Sequence, residues 1–247
     1  MKKRERYHCL DTLRGFTLLS MILYHFIWDL VYVKELEIAW FHSELAYIWQ
    51  QSICCTFILL SGFCWNLGRK KFLRGSIIFF AGILVSIVTE LFLPQHRILF
   101  GVLTLLGTSM LLMIPLNRIL RRVPPFLGTG LSLILFAITK SINNGYIGFG
   151  KNLTLNLPTE WFDKGYFLTF IGFTDKNFSS ADYFSLFPWF FLFLSGYFLY
   201  RIVFEKGITH QLKNCETGNT LFDFLGRHSL IFYLLHQPLL YLILQLC

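Results

Sequence analysis

Charged residues are scarce in this sequence. Asp, Glu, Lys and Arg make up 15% of its 247 residues, whereas 55% are hydrophobic and Phe alone accounts for 28. The few charges lie in short clusters between long apolar runs. A water-soluble domain cannot bury that much apolar surface in its own interior. The composition therefore excludes an ordinary soluble protein and predicts that lipid covers most of the chain.

Paired cysteine spacings, which would indicate a metal site or a disulfide framework, are also missing. Three of the six cysteines fall within one apolar run, and the others are scattered along the chain. We therefore expect unreactive thiols that fill apolar space, and no metal ion.

Seven apolar stretches are long enough to cross a hydrocarbon core, which takes about 20 residues per helix. Their runs are continuously apolar and do not alternate, which favours helices over strands. Prolines at positions 94, 115, 124, 125 and 188 are expected to end or break helices. The sequence thus predicts an all-α polytopic bundle that forms a single domain over residues 1–247. The predicted spans are Gly15–Val33, Leu45–Leu67, Ser76–Leu93, Ile98–Leu116, Phe126–Ile142, Tyr183–Phe204 and Phe224–Leu246.

The positive charges predict an orientation. With the N-terminus in the cytoplasm, the inner segments carry 16 of the 22 Lys and Arg residues and the outer segments carry 6. This bias is typical of a multi-pass protein of the plasma (inner) membrane. It also accounts for the net charge of +8 without a nucleic-acid partner. The long connection at about 143–182 is then an external loop, which we expect to be a folded cap or a re-entrant segment.

Two ionisable residues in the first predicted span are candidates for catalysis. His25 and Asp29 are four residues apart and share a helical face, and His25 lies about 15 Å beyond Gly15 along the helix axis. A carboxylate beside an imidazole orients it and stabilises its charged form, as a general base requires. A buried pair that bonds a neighbouring helix is the structural alternative, but ionisable groups inside a membrane are most often functional.

Basic residues at the inner ends of the spans are candidates for binding an anionic donor. Arg14 can hold a phosphate or an acyl carbonyl, or it can simply pair with Asp11, which stands three residues earlier. Membrane topology alone also explains these charges. The candidates for the phosphates of a donor are Asp11, Arg14, Arg69, Lys70 and Arg227.

Four further residues are candidates for binding an acceptor. Arg97 stands at the outer start of the fourth span, where it can instead anchor the helix at the interface. Gln50 and Gln51 place two amides in the second span, where hydrogen bonds between helices are the simpler explanation. His236 lies inside the last span, where a satisfied buried histidine is the alternative.

A short internal likeness links the two ends of the chain. Leu10–Leu13 leads to His25, and the similar segment Phe222–Leu225 leads to His236. The two segments run in the same direction across the membrane. A repeat and a coincidence of biased composition both remain open.

Several of these segments resemble motifs of a known family of membrane proteins. Arg14 followed by His25 in the first span is similar to the spaced Arg and His of integral membrane acyltransferases. Leu10–Leu30 resembles the heparan-alpha-glucosaminide N-acetyltransferase catalytic-domain family, in particular its small bacterial members. Further segments that resemble this family are Phe57–Gly62, Arg97–Gly107 and Gly226–Pro238, so the likeness extends over nearly the whole chain.

The resemblance implies that an acetyl or other acyl group is taken from cytoplasmic acetyl-CoA and delivered to a sugar or glycan outside. In the lysosomal enzyme of this family the reactive histidine lies in the loop after the first span, where this chain has His42. His25 and His42 are therefore both candidates for the catalytic base. Direct transfer and a covalent acyl-histidine relay are both compatible with the sequence.

Two other classes of function remain as alternatives. A proton-coupled transporter would use His25, Asp29 and His236 as a proton relay or substrate site at mid-membrane. A membrane scaffold without activity would leave the buried ionisable groups unexplained. The sequence is compatible with a homo-oligomer in either case.

Overall fold

The architecture is taken from a computed structural model, which describes residues 7–149, 153–208 and 220–246. The charge count above also used Lys and Arg at positions 2–6, 151 and 213, and these lie outside the described residues. The cysteines at positions 215 and 247 lie outside them as well.

Long apolar helices make up most of the described chain, which confirms the predicted all-α membrane bundle. Seven of them are long and apolar enough to cross a membrane, the fifth with the 3-10 turn that follows it to Asn144. They are α1 His8–Tyr32, α2 Glu44–Trp65, α3 Lys71–Phe92, α4 Val102–Leu120, α5 Pro125–Thr139, α7 Leu186–Glu205 and α9 Ser229–Leu246. Two shorter helices are α6 Tyr166–Ile171 and α8 Thr220–Arg227.

Several predicted boundaries differ from the structure; the first span, for example, begins at His8 instead of Gly15. Pro115 was expected to end a helix, but it lies inside α4, which continues to Leu120. Membrane helices tolerate proline because neighbouring groups satisfy the backbone atoms that it frees. The last predicted span is interrupted at His228, so that α8 and α9 are separate helices.

The described residues divide into two compact units. The first comprises those of Met1–Leu60 and Val203–Cys247, and the second comprises Ser61–Ile202. That the whole chain works as one catalytic domain stays a prediction.

In the first unit, α1 packs closely against α8 at two glycines. A Cβ on Gly15 would overlap the backbone carbonyl of Phe222, and a Cβ on Gly226 would overlap that of Asp11. Lipid tails are as apolar as side chains, so membrane helices gain from close van der Waals contact, which small residues allow. The two glycines therefore set the distance between α1 and α8.

In the second unit, α3 and α4 approach one another in the same way. A Cβ on Gly82 would overlap Thr104, and a Cβ on Gly107 would overlap the backbone of Phe79. The indole of Trp65 donates a hydrogen bond to the carbonyl of Met110 at 3.0 Å. These contacts make α3 and α4 a tightly packed pair.

The long connection predicted at about 143–182 is folded where the structure describes it. It contains an antiparallel hairpin of β1 Tyr146–Phe149 and β2 Leu153–Asn156, in which Tyr146 lies opposite Asn156. The helix α6 follows the hairpin. This small sheet was not predicted, because four-residue strands flanked by polar residues carry little pattern.

Hydrogen bonds tie the end of this connection to the start of α4. The N–H of Ala181 donates to the carbonyl of Arg97 at 3.0 Å. The N–H of Val102 donates to the Asp182 carboxylate at 3.4 Å. Burial raises the pKa of Asp182 to about 6, against the opposing effect of this hydrogen bond.

The predicted orientation can be tested by cysteine labelling of intact cells. We expect a membrane-impermeant maleimide to label Glu160→Cys in the long connection and to miss Arg69→Cys, because positive charge favours the cytoplasmic side. The unsubstituted protein measures the background from the natural cysteines. Labelling of Arg69→Cys but not of Glu160→Cys would reverse the orientation.

Candidate functional site

Two histidines from opposite ends of the sequence meet in the first unit. The ring centres of His25 in α1 and His236 in α9 are 5.0 Å apart, and the rings are inclined at 58°. His25 is half-buried and His236 is buried. Both lie within candidate membrane spans. The structure thus brings together two candidate residues that are 211 positions apart.

The carboxylate of Asp29 bonds an amide on the facing helix. Gln237 Nε2 donates a hydrogen bond to Asp29 Oδ1 at 2.7 Å, and Asp29 is fully buried. We expected Asp29 to orient His25, which lies four residues earlier in α1. Although four-residue spacing places both on one face of α1, the carboxylate reaches across to α9.

The polar atoms of His236 and Gln237 are only partly satisfied. His236 Nδ1 lies 2.5 Å from the carbonyl oxygen of Tyr233, one turn earlier in α9. His236 Nε2 and Gln237 Oε1 are buried and have no hydrogen-bond partner among the described residues. Buried polar atoms without partners are rare and expensive, so each calls for an explanation.

Tyr24 lies next to the His25 ring on α1 and also contacts α2. The ring of Tyr24 lies 6.1 Å from that of His25 and 5.3 Å from that of Trp49 in α2. Trp49 Nε1 donates a hydrogen bond to Ser20 Oγ at 2.8 Å. These contacts hold α2 against α1 beside the two histidines.

A network of charged side chains joins α1 to α8 near Gly15. Arg14 Nη1 lies 3.4 Å from Asp11 Oδ1. Arg227 Nε lies 3.9 Å from Asp11 Oδ2, and its Nη2 lies 3.6 Å from Asp223 Oδ2. His8 Nδ1 lies 2.7 Å from the same Asp223 oxygen. Three of the predicted donor-binding residues therefore lie together in one network.

The electrostatics of this network favour the ionised form of Asp223. Burial alone would raise the pKa of Asp223. The hydrogen bonds from Thr12 and His8, with the charges of His8 and Arg227, instead hold that pKa below its usual value. The side chains of Arg14 and Arg227 remain 23% and 34% exposed, so both are partly accessible.

The other predicted residues of the first unit are His42 and two glutamines of α2. His42 is exposed at the end of a 3-10 turn, and its ring centre lies 6.2 Å from that of Tyr32. Gln50 is half-buried in α2. Gln51 Oε1 is buried and has no hydrogen-bond partner among the residues that the structure describes.

The remaining predicted residues belong to the second unit. Arg69 and Lys70 are exposed just before α3. Arg97 forms an ion pair with Glu90 at 3.5 Å and donates a hydrogen bond to the carbonyl of Ser179. Arg97 also borders an open, mostly apolar groove of about 420 Å³.

Sequence reasoning missed Gln237, Asp223 and His8 as members of these clusters. The adjacent pair of His236 and Gln237 did carry a signal, because two polar residues inside an apolar run both need partners. The partners themselves lie more than 200 positions away, and no local pattern identifies contacts at that separation.

Comparison with known proteins gave one family. The family model described as "Heparan-alpha-glucosaminide N-acetyltransferase, catalytic" matches residues 6–238. The comparison with curated proteins and the comparison with solved structures gave no match.

The bond between Asp29 and Gln237 is expected to stabilise the first unit. Gln237→Ala should lower the free energy of unfolding by about 1.5–3 kcal/mol, because the buried carboxylate loses a charge-assisted hydrogen bond. Thermal unfolding of the purified protein in detergent measures the effect. Leu239→Ala, at an exposed position of the same helix, is the control. Equal losses in the two variants would contradict a stabilising role for the bond.

Proposed function

The chain belongs to the heparan-alpha-glucosaminide N-acetyltransferase catalytic-domain family, and on this premise we propose how it transfers an acetyl group. Membership makes it an acetyltransferase-type enzyme in a membrane. The donor is cytoplasmic acetyl-CoA, and the acceptor is a sugar or glycan on the other side of the plasma (inner) membrane. The predicted orientation of the helices supports this assignment of sides.

The position of His25 is the observation that carries the proposal. Its imidazole lies within a candidate membrane span and beside a second imidazole. Packing alone would not require an ionisable side chain at this place. It is half-buried, so a substrate can reach it. We assign His25 as the general base.

In the proposed reaction, an amine or hydroxyl of the acceptor attacks the thioester carbonyl carbon. Its proton passes to His25 as the new bond forms. The tetrahedral intermediate then collapses and expels the CoA thiolate, which takes the proton from the His25 imidazolium. The products are the acetylated acceptor and CoA, and His25 returns to its neutral form.

The network of Arg14, Arg227 and Asp11 is proposed to receive the phosphates of the donor. Arg14 is eleven residues before His25, which is about 16 Å along α1. An extended pantetheine arm would span this distance and bring the thioester to His25. Arginine suits this role because its fork of N–H groups matches phosphate oxygens. Arg69 and Lys70 are proposed to add positive charge on the same side.

The acceptor is proposed to contact amide and basic side chains. Gln50, Gln51 and Arg97 remain proposals for these contacts. The buried and unpartnered carbonyl oxygen of Gln51 supports a hydrogen bond with an acceptor hydroxyl or amine. His42 remains the alternative base, on the pattern of the lysosomal enzyme.

Replacing the two candidate bases separately tests the assignment. His25→Ala should reduce acetyl transfer by about 10²–10⁴-fold, which is the usual contribution of a positioned general base. His42→Ala should cost much less, because its ring is exposed in the segment between α1 and α2. His228→Ala, which removes another exposed histidine, is the control for folding and insertion.

Transfer of labelled acetyl from acetyl-CoA to glucosamine by the purified variants is the measurement. If His42→Ala abolishes transfer and His25→Ala is mild, the base is His42. If all variants are inactive and the wild type binds no acetyl-CoA, the enzyme proposal fails and a transporter becomes the better account.

A further inference from the structure

The hydrogen bond of His236 fixes which of its nitrogens carries the proton. Tyr233 offers a carbonyl oxygen, which can only accept a hydrogen bond, so His236 Nδ1 must donate. In the neutral ring, the other nitrogen then has a lone pair and accepts. His236 Nε2 is therefore a hydrogen-bond acceptor of fixed position.

This acceptor is buried and without a donor. Nε2 has no hydrogen-bond partner among the described residues, and His236 is only 8% exposed. An acceptor left unpaired in such a place costs free energy. Either the enzyme tolerates that cost or a donor reaches Nε2 during the reaction.

The ring of His25 is close enough to be that donor. Two imidazoles joined by an N–H···N hydrogen bond of about 2.9 Å have ring centres about 5 Å apart. The centres of His25 and His236 are 5.0 Å apart. The rings are inclined at 58°, and rotation of the half-buried His25 side chain turns its N–H towards His236 Nε2.

We propose that His236 is a positioning residue for His25, whose ring N–H donates a hydrogen bond to His236 Nε2. This contact fixes the tautomer of His25, so that its second nitrogen carries the lone pair that accepts the acceptor's proton. When His25 becomes an imidazolium, the same bond becomes charge-assisted and stabilises it. The inference rests on the proposed function, in which His25 is the base.

His236 thus takes the role that the sequence assigned to Asp29. The Asp29 carboxylate accepts a hydrogen bond from Gln237 at 2.7 Å, and in this proposal an imidazole orients the base. Orientation by a neutral ring adds no second charge to the membrane interior, where ionised groups are expensive.

Two variants of His236 separate this role from a structural one. In His236→Asn the side-chain amide nitrogen can occupy the place of Nδ1 and keep the bond to Tyr233, but no atom remains at the place of Nε2. In His236→Gln the end of the amide reaches the place of Nε2 and offers an acceptor there, but the bond to Tyr233 is lost.

The proposal predicts opposite outcomes for the two variants. With acetyl-CoA and glucosamine as substrates, kcat should fall by about 10–100-fold in His236→Asn, as when other partners that orient a functional imidazole are removed. His236→Gln should recover most of the wild-type kcat. The KM for acetyl-CoA should change little in either variant. If His236→Asn is as active as the wild type and His236→Gln is impaired, His236 is structural and the proposal is wrong.

A second readout does not depend on activity. The ring ¹⁵N signals of His25, identified by their loss in His25→Ala, report its tautomer in the detergent-solubilised protein. We expect one fixed tautomer in the wild type and in His236→Gln, and a mixture of two in His236→Asn. A mixture already present in the wild type would overturn the proposal, even if acetyl transfer by His25 is confirmed. A fixed wild-type tautomer that His236→Asn abolishes would support it even in a protein without transferase activity.

Discussion

The close approach of α1 and α8 at Gly15 and Gly226 determines how the rest of the first unit is arranged. Each glycine lies against the backbone of the other helix, so that neither has room for a side chain. Any larger residue there would push the helices apart. The ion pair of Asp11 with Arg227 depends on this separation, since short contacts tolerate little displacement.

Similar separations along the chain precede the two histidines. His25 follows Asp11 by 14 residues, about 21 Å along α1, and His236 follows Asp223 by 13 residues across the break between α8 and α9. The two carboxylates share the guanidinium of Arg227, and the two imidazoles lie 5.0 Å apart. The two similar segments of the sequence thus lie in contact, and rising residue numbers in α1 face falling ones in α8, with Asp11 beside Gly226 and Gly15 beside Phe222. Common ancestry of the two segments stays a hypothesis.

The sequence predicted the all-α membrane fold because every span is a long apolar run, and length alone distinguishes such runs from soluble helices. It also singled out His25 and His236 as candidate functional residues, because ionisable groups inside apolar runs are rare. It did not predict that Asp29 would bond Gln237, since the choice between a neighbour in the same helix and one across the interface depends on tertiary packing. The predicted end at Pro115 was wrong because lipid-embedded helices accommodate proline.

Direct titration of the purified protein with acetyl-CoA tests the central claim, that this membrane bundle is an acetyl-CoA-dependent enzyme. Isothermal calorimetry in detergent should show saturable binding of acetyl-CoA that CoA competes for and that acetate alone does not. A transporter or a scaffold has no need for this ligand. The absence of saturable binding by a protein that unfolds cooperatively in the same detergent would contradict the account.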